Sequence, residues 1–467
     1  MSINKKNILE IINFSKNYCR NGKPDQKSFV WHSKDSCTRK IFISINTSSS
    51  KRYEYINEAI DNGASAIIAD IKINKSLLKK DLPILYNKYL ATNHNKFLNY
   101  IYNQPLKNMQ VIGITGTDGK TSQLHLLAQS LYLCKKKIGV ISSEGNGIYP
   151  RLSKTNYTTP RIDILFKYLQ KFKEEKVKTV LIECSSQGLD QGRLDDIIFN
   201  MSILTNINRD HIDYHQSFKN YVQAKIKLLN ATKGHIFLNK NCPYTMNNLQ
   251  LISSKSVRHF YSSDLDLNYK NLSLKNTISN YYNLAVILQI LKLEKLSKIN
   301  ILDIFAKLKT VKGRNHFIKT KCKGTYVVDY AHTPSSLLVL LKSILSHSIH
   351  TGGKIIIVFG CGGDRDVWKR KKMGKIASTF SDHIILTDDN PRNEKPMKII
   401  NDIKKGIKTK HNLSIIPSRQ KAIYKAISLA HKDDFIVIAG KGNENDILYK
   451  KHIIKHNDLK ILKIGLK

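Results

Sequence analysis

Short apolar runs recur along the chain, at 42–45, 64–69, 109–114, 179–184, 201–206, 326–329, 355–359, 384–386 and 435–439. Runs this brief, bounded by glycine or polar residues, predict buried strands. Between them apolar residues return at three- and four-residue spacing, as Leu124, Leu127, Ala128 and Leu131 do, and predict helices. Residues 53–62 (stopped by Gly63), 221–230, the segment after Pro334 and 419–430 read the same way. Such alternation predicts an α/β chain on mainly parallel sheets, with helices on both faces in the last third. No apolar run approaches the ~18 residues of a membrane span. Residues 1–20 lack an apolar stretch followed by a small-residue cleavage site, so neither a membrane span nor an export leader is expected.

The pattern divides the chain into three units: 1–108, 109–312 and 313–467. The first is a small α/β unit without an evident catalytic group; Ser33 and the loop near Asn46 are its only hints of a ligand surface. The last boundary falls where the character changes, at Val311-Lys312-Gly313-Arg314.

Composition adds one question. Formal net charge is +41, from 77 Lys and Arg against 36 Asp and Glu. A nucleic acid or membrane surface would suit such a charge. The lysines are dispersed rather than gathered in an arm or tail, which favours a general Lys-, Ile- and Asn-rich bias. Seven cysteines without a CxxC pair fit reduced thiols better than a disulfide framework or zinc site.

The chemistry gathers at strand ends. Gly113-Ile114-Thr115-Gly116-Thr117-Asp118-Gly119-Lys120-Thr121-Ser122 joins a predicted strand to a predicted helix. Its glycines let backbone N–H groups approach phosphate oxygens, and the helix N-terminus favours negative charge. Lys120 would reach the β- and γ-phosphates, and the Thr121 hydroxyl would ligate Mg²⁺. Gly113 and Gly119 enclose five residues where the standard pattern has four, so this is a variant P-loop. Glu183 ends a neighbouring strand, where a nucleotide's metal is often held. The run from Asn208 through Arg209, Asp210, His211 and Asp213 to His215 offers a neutral His as a further ligand, and reads equally as a polar loop. Three turns follow: 360–366 with Arg365, 388–392 with Asp389, Asn390, Pro391 and Arg392, and 440–444 with Gly440 and Glu444. Each is an ordinary α/β turn taken singly; together they suggest a site for a small zwitterion.

From about residue 85 to 450 these motifs resemble, in order, those of the Mur ligases, in the branch that adds meso-diaminopimelate. The resemblance also rests on Thr158-Thr159-Pro160, Glu183-Cys184-Ser185-Ser186, Gln191-Gly192-Arg193, Ala224-Lys225 and Asp329-Tyr330-Ala331-His332-Thr333-Pro334. It implies three domains: a small N-terminal α/β domain binding the UDP substrate, a central P-loop ATPase-like domain, and a C-terminal Rossmann-like doubly wound domain binding the amino acid. It implies ATP at Gly116, Thr117, Asp118, Gly119, Lys120, Thr121 and Ser122, with Asn280, Asn283 and Arg314. It implies Mg²⁺ at Thr121, Glu183, His211 and a carbamylated Lys225, with Lys120, Lys225 and His211 catalytic. Ser33, Thr158, Thr159, Ser185, Gln191 and Arg193 would hold UDP-N-acetylmuramoyl-L-alanyl-D-glutamate. Arg365, Asp389, Asn390, Pro391, Arg392, Gly440 and Glu444 would hold meso-diaminopimelate.

The expected activity is therefore ATP-dependent amide ligation in peptidoglycan precursor synthesis, by a cytoplasmic monomer without a nucleic-acid partner. A lysine-adding or folate-polyglutamating ligase is the alternative within the class, and a nucleic-acid-stimulated ATPase the one outside it. The chain departs from the family at His32-Ser33-Lys34, where Asp-Ser-Arg is usual, and in a shortened loop after residue 45. It departs also at Asp118 for Asn, Gln187 for His and His316 for Glu. Asp118 is expected to weaken ATP binding unless Mg²⁺ or a lysine offsets its charge.

Overall fold

The computed structural model describes residues 5–19, 22–45, 48–263, 278–296, 301–408 and 412–466. The loop near Asn46 lies outside them. As expected, the architecture is α/β, built on three main sheets. A four-stranded parallel sheet, Phe29–Val30, Ile41–Ser44, Ala66–Ala69 and Ile84–Tyr86 in that order, organises the N-terminal part.

The second sheet has eight strands. From edge to edge they are Val257–Tyr261, Thr232–Asn239, Phe199–Leu204, Gln110–Thr115, Thr179–Glu183, Ile138–Ser142, Gly145–Ile148 and Arg151–Ser153. The P-loop strand lies in the middle, parallel to both neighbours, with Ile114 beside Glu183 and Thr115 beside Leu204. This register brings the P-loop, Glu183 and the 205–215 loop to one edge. The third sheet runs His316–Lys319, Thr325–Asp329, Phe435–Ala439, Ile355–Phe359, His383–Leu386 and Asn412–Ile415, parallel except for its first strand.

Alternation along these strands supplies two cores per sheet, because successive side chains face opposite ways. Val327, Ile355, Ile357 and Val437 pack beneath helices Pro334–Thr351, Trp368–Phe380 and Pro396–Lys404. Tyr326, Val328, Ile356 and Ile438 pack against Arg419–Leu429 and Asp458–Gly465. The helices therefore cover both faces. In the second sheet, Ile112 and Ile114 join the helix Lys120–Leu133 while Val111 joins Ile162–Glu174. No described helix is long and apolar enough to cross a membrane.

Candidate functional site

A cleft of about 580 Å³ opens where the second and third sheets meet. Gly116 through Ser122 line one wall; Arg314, Asp329, Tyr330 and His332 line the other. Gly116 has φ 150°, and a Cβ there would collide with Thr205 Oγ1. Gly119, at φ 82°, caps the helix Lys120–Leu133. Both glycines serve the loop's conformation. Lys120 Nζ donates to the Gly116 and Thr117 carbonyls at 3.0 and 2.9 Å, curled back over the loop.

Thr121 and Glu183 meet as expected. Thr121 Oγ1 donates to Glu183 Oε1 at 2.9 Å, and Ser143 donates to Oε2 through its backbone N and its hydroxyl. Two hydroxyls and a carboxylate beside a P-loop are hard oxygen donors, a set that fits Mg²⁺ when phosphate and water complete the shell. His211 lines the same cleft, with Nδ1 buried and without a partner. Burial, helped by Lys120 and Lys225, outweighs the pull of Asp210 and lowers its pKa to about 4, so the ring is neutral at pH 7. Among the described residues, no three His, Cys, Asp or Glu form a metal cluster of their own. Lys225 is 1% exposed on the helix Phe218–Asn230. Its Nζ donates to the Gly116 carbonyl at 2.6 Å and lies 4.4 Å from the Tyr221 ring centroid. Burial, then Lys120, pushes its pKa well below the usual lysine value.

Several other expected residues form one network. Thr159 Oγ1 donates to the Glu183 carbonyl and accepts from Ser185 N; Arg193 donates to the Thr159 carbonyl and to Gln191 Oε1. Thr158 and Ser185 face the cleft. Ser33 is elsewhere: it is 4% exposed and donates to Glu58, so its hydroxyl is engaged within the N-terminal unit. Asn283 lines the cleft, and Asn280 lies one turn earlier on the helix Ile278–Leu293 with Nδ2 unpartnered. The Arg314 guanidinium lies 3.9 Å from the Tyr330 ring centroid.

Two expected residues take partners across the cleft. The Asp118 carboxylate accepts from Thr333 Oγ1 at 3.0 Å and Ser335 Oγ at 2.8 Å, at the start of Pro334–Thr351, and its charge acts on the buried Lys225. Arg365 pairs with Asp213 at 2.6 Å, while its neighbour Asp366 pairs with Arg209 at 2.7 Å. The other expected amino-acid residues lie together. Glu444 accepts from Tyr330 Oη, Asn390 Nδ2 and Lys441 Nζ at 3.1, 3.1 and 2.8 Å. Arg392 Nη1 donates to the Gly363 carbonyl at 2.8 Å, and Asp389 packs against Gly440.

Sequence reasoning assigned no role to Asp210, His332, Tyr330 or Ser143. Asp210 sits 3.5 Å from His211 Nε2 and 3.7 Å from His332 Nε2. Burial alone would raise its carboxyl, but the hydrogen bond with His332, with Lys369 adding its charge, holds it well below the usual range. Asp210, Tyr330 and His332 fall within runs singled out for other members; Ser143 carries no sequence signal.

Two family models match, the Mur ligase middle domain over residues 114–328 and the Mur ligase glutamate ligase domain over 313–442. A UDP-N-acetylmuramoyl-L-alanyl-D-glutamate–2,6-diaminopimelate ligase of Wigglesworthia glossinidia brevipalpis is 35% identical over 458 residues, 91% of each chain. A solved structure of a ligase of the same name covers 95% of each chain at 26% identity, with TM-score 0.60. A MurF ligase from Thermotoga maritima in complex with ADP, 17% identical with TM-score 0.62, shares the fold over 89% of this chain. With its P-loop cleft closed by a third-sheet wall, this chain belongs to the Mur ligase family.

Proposed function

We propose that the chain is an ATP-dependent ligase that joins meso-diaminopimelate to UDP-N-acetylmuramoyl-L-alanyl-D-glutamate in peptidoglycan precursor synthesis. Tyr330 carries this reading. Its ring lies under Arg314 in the nucleotide cleft, and its hydroxyl bonds Glu444 in the amino-acid group. One side chain thus connects the phosphate end to the nucleophile end.

A carboxylate is a poor electrophile, so the glutamate γ-carboxylate is first phosphorylated by ATP. The amine of the incoming amino acid then attacks the acyl phosphate, and phosphate leaves. The P-loop amides and Lys120 stabilise the charge that develops as the phosphoryl group transfers. Thr121, Glu183 and His211 are the positions for Mg²⁺, which when bound supplies charge neutralisation at the phosphates. Lys225, buried and with its pKa pushed down, is the amine suited to carbamylation. Thr158, Thr159, Ser185, Gln191 and Arg193 face the UDP substrate. Arg392 offers a guanidinium fork to the distal carboxylate, and Glu444 an acceptor to the adjacent ammonium. The intermediates are water-soluble, which suits a cytoplasmic enzyme.

Phosphate release with the UDP substrate and a panel of amino acids tests the reading. Release with meso-diaminopimelate far above that with lysine or glutamate is expected. Equal kcat/KM for lysine would overturn the amino-acid assignment; release that ignores the UDP substrate and rises with DNA or RNA would overturn the class.

A further inference from the structure

The turn 440–444 contains a buried charged residue with no role in this scheme. Lys441 is fully buried, with a side-chain exposure of 0%. Gly440 and Gly442 flank it at φ 113° and 54°. A side chain on Gly440 would meet Asp389 Oδ2 at 2.6 Å, and one on Gly442 the Gly313 carbonyl at 2.6 Å. The backbone is thus threaded between two neighbours, and Lys441 points inward.

An ammonium buried this far must be paired. Lys441 Nζ donates to Glu444 Oε2 at 2.8 Å and to Asn390 Oδ1 at 3.1 Å. Asn390 Oδ1 also accepts from Leu448 N at 3.0 Å, so the amide is fixed with its Nδ2 toward Glu444, 3.1 Å away. Glu444 is 36% exposed and keeps acceptor capacity toward solvent. Lys441 therefore sets both partners while lying behind them. It also offsets the Glu444 charge.

We infer that Lys441 is a positioning residue for amino-acid binding: it aims the Glu444 carboxylate and the Asn390 amide and balances the charge behind them. This rests on the ligase reading above. The experiment is steady-state kinetics of the full chain, with each of the three substrates varied in turn. The unmutated enzyme must first ligate meso-diaminopimelate; if it does not, the ligase reading falls and this inference with it. Given that activity, Lys441→Met is expected to raise the KM for meso-diaminopimelate about tenfold or more, with the KM for ATP and the UDP substrate within about twofold. In a Glu444→Gln background the same substitution should add less than about twofold, because Lys441 acts through Glu444. A bracing role alone would lower the melting temperature and leave all three KM values together, which overturns the inference, as does full additivity with Glu444→Gln. If Lys441→Met does not fold, Lys441→Gln, which keeps an amide donor for Asn390, carries the same comparison.

Discussion

The second sheet meets its two neighbours by different means. Toward the N-terminal unit the seam has an aromatic and apolar centre: Tyr102 and Phe166 lie tilted with centroids 5.7 Å apart and Leu98 is buried beside them, while Asn95 and Lys96 add polar contacts to Asp195 and Asp196. Toward the third sheet the contacts are charges and hydroxyls: Arg209–Asp366, Arg365–Asp213, Asp118 with Thr333 and Ser335, and Asp210 with His332. Apolar burial is lost when a seam opens, whereas a partly exposed ion pair such as Arg365–Asp213 exchanges for water at little cost. The first seam therefore resists opening more than the second. The cleft lies along the second. We therefore expect the third unit to close on ATP and substrate, measured as a fall in the radius of gyration by small-angle scattering.

The largest effect should come from the cleft floor, which belongs to neither seam. Lys225→Ala is expected to lose about 10²-fold or more in activity, with partial recovery on adding short-chain carboxylates and an unchanged scattering profile. Near-normal activity would remove Lys225 from the chemistry. The apolar seam comes next. Phe166, 1% exposed, should cost about 3–5 kcal/mol of stability when replaced by Ala, with kcat per folded molecule little changed. A large kcat loss at unchanged melting temperature would break the contrast between the seams.

The polar seam should respond in the opposite way. Arg209→Asp is expected to reduce kcat roughly tenfold, about 1.4 kcal/mol, with little change in melting temperature. Adding Asp366→Arg should restore most of it. The smallest effect belongs to Asp118→Asn. The amide keeps an acceptor for Thr333 and Ser335 but removes a negative charge beside the phosphates, so the KM for ATP should fall roughly threefold. A rise would show that the carboxylate is needed for closure.

The fold was legible because strand runs and P-loop chemistry are local. Residues 355–359 and 435–439 read as strands from apolar runs alone, and the structure places Ile355–Phe359 and Phe435–Ala439 there. Thr121 and Glu183 could be paired because each ends or follows a strand, and parallel sheets gather such ends. Partners across units were not legible. Nothing near Asp118 in sequence announces Thr333, and Arg365 gives no sign that Asp213 will claim it. Such pairings depend on how two sheets dock, which periodicity does not encode. The partner of Ser33 was hidden for a related reason: a hydroxyl in a polar loop looks available until Glu58 on another element is seen to accept its hydrogen bond.

The two ion pairs on the polar seam have a mechanical consequence. A single pair between two bodies is a swivel: it holds a distance and leaves the angle free. Here Arg209 and Asp213 meet Asp366 and Arg365 as opposite charges, two pegs in two sockets. Turn the third unit so that the pegs exchange sockets, and arginine faces arginine while aspartate faces aspartate. Attraction in one orientation and repulsion in the other make the seam a key that sets the angle of approach as well as the fact of contact. On the ligase reading, a third unit that leaves and returns would arrive each time with its amine on the same line of attack.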